Sequence, residues 1–193
     1  MDDWQQKAAE IAGQTSDLPQ VQAGDVPDLA LYMDQLVTFL DQRLGGTKRE
    51  ASDPFITSTM VNNYTKAKLV LPAEKKRYQR HHVLGLSMVG QLKKVLSMQD
   101  LSRITEAARA TGQEDALYQL FLDAQREAFA QCHSLVADCT QGCSHHQLDG
   151  DAALAAMAVQ LAAQAQCRVL LAERLLDAIE PPKSEEGRKK TKT

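Results

Sequence analysis

Residues 55–101, FITSTMVNNYTKAKLVLPAEKKRYQRHHVLGLSMVGQLKKVLSMQDL, constrain this chain more than any other stretch. Met60, Val61, Tyr64 and Ala67 recur at three- and four-residue spacing, which places them on one side of a helix. Thr59, Asn62, Asn63 and Lys66 recur at the same spacing on the other side. Thr57 precedes the run as its N-cap, a hydroxyl able to accept from an unpaired amide of the first turn. A solvated helix face usually mixes Glu and Lys. This one carries amides, a hydroxyl and an ammonium without a carboxylate, groups suited to base edges and phosphates. Tyr64 reads as a core aromatic with its tip at the surface.

The following residues extend the pattern. Pro72 closes the helix exit, and Lys75-Lys76-Arg77-Tyr78 form a basic turn with one aromatic. From Arg80 to Leu96 a longer amphipathic helix is expected, with Val83, Leu84, Leu86, Val89 and Leu92 inward. Ser97 with Asp100 three residues on reads as a capping box that starts another helix through Ile104. The order is helix, basic turn, helix, capped helix.

In this order the segment resembles the winged helix-turn-helix of MerR-type regulators, with Met60 to Val70 in the frame of their second helix and its exit. Asn62 stands where those proteins commonly have Arg, Lys68 replaces the helix-ending Gly, and the wing is much shortened. The run LYMDQLVTFL, MVNNYTKAKLV, KKRY and LKKVLSMQDL is similar to a bacterial family known as domain of unknown function 1836, over residues 29 to 105. The resemblance implies a MerR-like DNA-binding fold in this half of the chain.

Net charge over the 193 residues is −3, which by itself argues against a nucleic-acid partner. The distribution reverses that. Lys48 to Ile104 holds 11 basic and 4 acidic residues, +7, while the remainder carries −10. A basic segment within an acidic chain is the local footprint that DNA binding requires, although a solvated basic surface has the same composition.

An all-α architecture follows, in four parts. Residues 1–24 are an N-terminal arm with a short helical pattern at Trp4, Ala8 and Ile11, and Trp4 is expected to pack on the body. Residues 25–110 form the helix-turn-helix unit, opened by a helix that starts at Pro27 and supports the 57–67 helix from behind. Residues 111–182 form an antiparallel hairpin of two amphipathic helices, one marked by Leu117, Leu120, Phe121 and Leu135, the other running from Asp151 to Ile179. Its apolar stripes are wider than one helix needs for the other, so homodimerisation is expected over a hairpin that only completes a monomer core. Residues 183–193 are a charged tail, expected to be disordered. No signal peptide and no membrane span are expected, which places the protein in the cytoplasm.

Cys132, His133, Cys139, Cys143, His145 and His146 lie within fifteen positions, and thiolates and imidazoles are zinc ligands. The spacing C-x6-C-x3-C-x-H-H is no established zinc pattern, so Cys139, Cys143, His145 and His146 are weak candidates and no metal or cofactor is expected. No nucleophile elbow, phosphate-binding glycine loop or HExxH is present, and no enzyme is expected. The sequence therefore reads as a sequence-specific double-stranded DNA-binding regulator. Thr59, Asn62, Asn63 and Lys66 face the major groove, and Lys75, Lys76, Arg77, Tyr78 and Arg80 face phosphates. The competing reading is a helical protein–protein interaction module that keeps the helix-turn-helix shape without binding DNA.

Overall fold

The computed structural model describes residues 2–50 and 52–179. The expected charged tail, 183–193, lies outside them. Eight α-helices are described: α1 (Asp3–Ser16), α2 (Met33–Leu44), α3 (Ser58–Lys66), α4 (Arg80–Leu92), α5 (Met98–Ala110), α6 (Glu114–Ala130), α7 (Cys132–His145) and α8 (Gly150–Asp177). Short 3-10 turns occupy Ala23–Asp25 and Gly45–Thr47. No strand forms among the described residues, so the fold is all-α.

The helices bury two separate cores. The first gathers Leu36, Leu40 and Leu44 of α2, Val61 and Tyr64 of α3, Val83, Leu86 and Val89 of α4, and Leu101 of α5. It also takes Val21 from before α2, and Tyr118 and Leu122 from α6. The Tyr118 hydroxyl donates to the Val21 carbonyl at 2.6 Å, tying the two ends of this core together. Gly90 has a packing reason: a Cβ there would stand 2.8 Å from Phe55 Cζ, so only glycine lets the ring lie against α4.

The second core is a three-helix unit in which Trp4 and Ala8 of α1 meet Cys139 and Cys143 of α7 and Ala153 and Met157 of α8. Thus Trp4 is buried as expected, and α1 packs against α7 and α8. The expected hairpin is also repartitioned. Its first helix breaks at Gln131; α6 joins the first core against α4 and α5, and α7 pairs with α8. The apolar positions of α6 and α7 look continuous in one dimension, but they face different cores.

Three local expectations change. Pro27 does not open α2, because Leu31 pairs with Tyr78 in an antiparallel bridge and holds that stretch extended until Met33. α4 stops at Leu92, four residues early, in a turn closed by Leu96 N–H donating to Leu92 O at 3.0 Å. α7 runs to His145, so the chain between Leu135 and the helix expected from Asp151 is mostly helical.

α8 is the anomalous helix. Its 28 residues span about 42 Å at 1.5 Å per residue. Only its ends are packed: Ala153 and Met157 in the second core, and Leu176 near α5, where Arg103 Nη1 lies 2.9 Å from Asp177 Oδ1. Residues 161–168 are all exposed, and Leu171 and Leu175 are 61 % and 64 % exposed. By length and composition this helix also suffices to cross a membrane, a property the sequence reading did not expect of any segment. Alanine accounts for the difference, since it dilutes the large apolar residues without adding charge.

Candidate nucleic-acid interface

α3 is fixed at both ends by sequence-specific contacts. At its start the Thr57 hydroxyl accepts from the Met60 N–H at 3.2 Å, the expected N-cap. At its end Leu69 N–H donates to Tyr64 O (2.9 Å) and Lys68 N–H to Thr65 O (3.0 Å), the paired bonds of a Schellman motif. That motif needs a left-handed residue after the cap, and Lys68 supplies it at φ +60° where glycine is usual. The Arg109 guanidinium supports this turn by donating to Lys68 O at 3.4 Å.

With the helix so fixed, Val61 and Tyr64 are buried while Thr59, Asn62, Asn63 and Lys66 are all exposed. Asp41 on α2 sets the approach to α3: its carboxylate accepts from the Phe55 N–H at 2.8 Å and from Lys48 Nζ at 3.1 Å. The Phe55 amide first, and then Lys48, hold the Asp41 carboxyl below the usual carboxylate range. Lys93 lies with Nζ 5.9 Å over the Tyr64 ring, and burial pushes its pKa down, with Lys94 adding repulsion.

The basic turn is a minimal hairpin. Glu74 and Arg77 pair in an antiparallel bridge around a two-residue turn, Lys75-Lys76, with φ of +49° and +64°. Positive φ at both central positions is the signature of a type I′ hairpin turn, which normally selects Asn-Gly. Two lysines there are strained, by the Cβ-to-backbone crowding that makes the left-handed region costly. Both are exposed at the tip. Arg77 is partly committed: its guanidinium lies 5.0 Å over the Tyr32 ring and donates to the Tyr32 hydroxyl at 3.0 Å. Arg80 is exposed at the first turn of α4.

Tyr78 corrects the sequence reading. Expected against phosphate, it is 6 % exposed in the first core, where burial raises its phenol pKa. The reason is register: the turn places Tyr78 opposite Leu31, with reciprocal backbone bonds of 2.8 and 2.9 Å, on the inward side of the hairpin. It anchors the turn instead of contacting a partner.

Sequence reasoning missed His82, which holds the basic hairpin at both ends. Its Nδ1 accepts from the Gln79 N–H at 3.0 Å, so the proton sits on Nε2 and is donated to Pro72 O at 3.2 Å. Burial, and then the neighbouring His81 with ring centroids 3.9 Å apart, push its pKa below the usual range. The available signal was its position: His82 is the N3 residue of α4, where a Glu or Gln would close a capping box.

The weak metal candidates do not converge. Cys139 and Cys143 point into the second core, where Cys143 Sγ donates to Ala153 O at 3.4 Å and burial raises the Cys139 pKa. His145 and His146 are exposed at the end of α7. No group of three or more metal-ligating side chains occurs among the described residues.

These features define an all-helical protein in which the first core carries a capped, carboxylate-free helix face and a strained lysine turn. The chain belongs to the family described as Domain of unknown function (DUF1836), whose model matches residues 21–123. That span coincides with the first core, which runs from Val21 to Leu122. No curated protein and no solved structure matches the chain.

Proposed function

We propose that this protein is a sequence-specific double-stranded DNA-binding transcription regulator of MerR-like helix-turn-helix type, acting in the cytoplasm. α3 enters the major groove, where Asn62 or Asn63 is suited to bidentate contact with adenine and Thr59 and Lys66 to neighbouring groups. Lys75, Lys76 and Arg80 hold the flanking phosphates, and Arg77 orders the wing through Tyr32 while keeping its charge beside them. The observation that carries this reading is the pair of strained lysines at an exposed hairpin tip. A turn that only joined two helices would favour Asn-Gly; charge is the one thing lysine adds there.

The uncovered middle of α8 supports a homodimer through the C-terminal helices. Such a dimer presents two copies of α3 to a divided site with half-sites about 34–36 Å apart. The same helix also supports a second reading, a protein–protein interaction module without DNA binding, because Leu161, Leu170, Leu171 and Leu175 of α8 are all exposed.

Selection from random duplex DNA with the full-length protein, followed by salt titration of the enriched duplex, separates the two. An enriched two-part motif with a log–log salt slope of about −4 to −8 is expected. Absence of any enriched motif, together with failure to be retained on heparin at low salt, overturns the regulator reading in favour of the interaction module. Asn62→Ala is expected to cost about 1–3 kcal/mol of discrimination at one base pair. Lys76→Ala is expected to weaken all duplexes alike.

A further inference from the structure

A partly open cavity of about 60 Å³ is lined by α4, α5, α6 and the segment leaving α3. Leu69, Val70, Leu84, Met88 and Leu117 give it an apolar wall. Protein interiors rarely leave such spaces, because lining atoms without neighbours forfeit their dispersion contacts.

Two observations point to an occupant. The first is Gly85, in the middle of α4. A Cβ there would meet nothing closer than Val70 Cγ2 at 3.9 Å, and its φ is not in the left-handed region. Neither packing nor backbone geometry requires glycine, in contrast to Gly90, and glycine in a helix interior is unfavourable. What its missing side chain preserves is the cavity. The second is Arg109, whose Nε is buried without a hydrogen-bond acceptor; the nearest candidate, Glu114 Oε1, stands at 3.6 Å. The ion pair with Glu114 is too long to be a hydrogen bond, so a ligand oxygen reaching Nε would add one that the protein itself does not make.

We propose that this cavity binds a small neutral molecule with an apolar body and one acceptor oxygen directed at Arg109, of roughly four to six non-hydrogen atoms at ~10–15 Å³ per water-sized group. Short-chain amides, ketones and alcohols have this form. Arg109 and Glu114 in the lining already pair with each other at 3.6 Å, and either charge taken against the apolar wall loses its hydration, so a neutral molecule is favoured. The oxygen's partner, Arg109, also bonds Lys68 O, which places the ligand one residue from the turn that ends α3. The proposal rests on the cavity and not on DNA binding.

The test is titration of full-length ¹⁵N-labelled protein with isobutyramide, followed by amide chemical shifts, with isobutyrate, isobutylamine and cyclopentane as comparison probes. Saturable shifts at Val70, Leu84 and Gly85 are expected with isobutyramide, and weaker binding of both charged probes. Gly85→Leu, which fills the space, is expected to weaken binding at least about tenfold. Gly85→Ala, which fills it partly while favouring the helix, gives a smaller loss and serves if the larger variant does not fold. Arg109→Met is expected to weaken isobutyramide at least about tenfold, one charge-assisted hydrogen bond, and to leave cyclopentane unchanged. Unsaturable or absent shifts overturn the proposal, as does tighter binding of either charged probe or unchanged affinity in both Gly85 variants. No arm of the experiment contains DNA, so failure here leaves the regulator reading standing and the converse also holds.

Discussion

Replacing Lys76 by glycine should stabilise the protein and weaken the proposed DNA binding at the same time. Lys76 sits at φ +64° in a two-residue hairpin turn, in the left-handed region where an L side chain crowds its own backbone. Relief of that crowding is worth roughly 1–2 kcal/mol. Glycine returns about 0.5–1 kcal/mol of it through the greater freedom of the unfolded chain. A net gain of about 0.5–1 kcal/mol remains, or roughly 1–4 °C in Tm for a chain of this size. The lost charge acts oppositely. One phosphate contact per protomer, two per dimer, flattens the log–log salt slope by about 1.8 and weakens specific and random duplex alike. Urea denaturation and a salt series of binding isotherms measure the two effects on one preparation. Lys76→Asn is the control, since asparagine tolerates positive φ and removes the charge. Lower stability in Lys76→Gly would refute the strained-turn argument, and an unchanged salt slope would refute the assignment of this lysine to phosphate.

Other perturbations probe the elements that hold the interface in place. His82 has a depressed folded-state pKa, so below about pH 6.5 the unfolded chain binds a proton that the folded chain resists. Stability is therefore expected to fall as pH drops from 7 toward 5, and His82→Gln should reduce that slope in urea midpoints while lowering stability at pH 7. An identical slope in the variant would sink the assignment. In the uncovered part of α8, Leu171→Glu with Leu175→Glu is expected to shift sedimentation equilibrium from dimer to monomer with little change in helicity by circular dichroism. Monomeric wild-type protein at tens of micromolar would exclude the dimer. Asp41 anchors the Phe55 amide, and Asp41→Ala should cost about 1–3 kcal/mol by leaving that amide unpaired.

Local rules carried the sequence reading a long way where contacts are near in the chain. The Thr57 cap, the inward Val61 and Tyr64, the outward Thr59, Asn62, Asn63 and Lys66, and the Ser97 cap all follow from spacing within one or two turns. Helix periodicity fixes which residues share a face, and caps satisfy amides that the helix itself cannot. The sequence alone also determined the family, the all-helical class and the burial of Trp4.

Tertiary structure decided everything that depends on which face meets which. Leu31 and Tyr78 lie 47 positions apart, and only their pairing turns Tyr78 inward and delays the start of α2. Pairing of this kind is set by packing around the first core, so no local pattern near either residue announces it. Similarly, α6 and α7 share a continuous apolar rhythm, yet one completes the first core and the other builds the second with α1 and α8. Periodicity says that a helix has a buried side; the partner is chosen by the competition of all apolar faces for the least exposed arrangement. That competition left the middle of α8 uncovered and gave Gly85 a cavity to keep open.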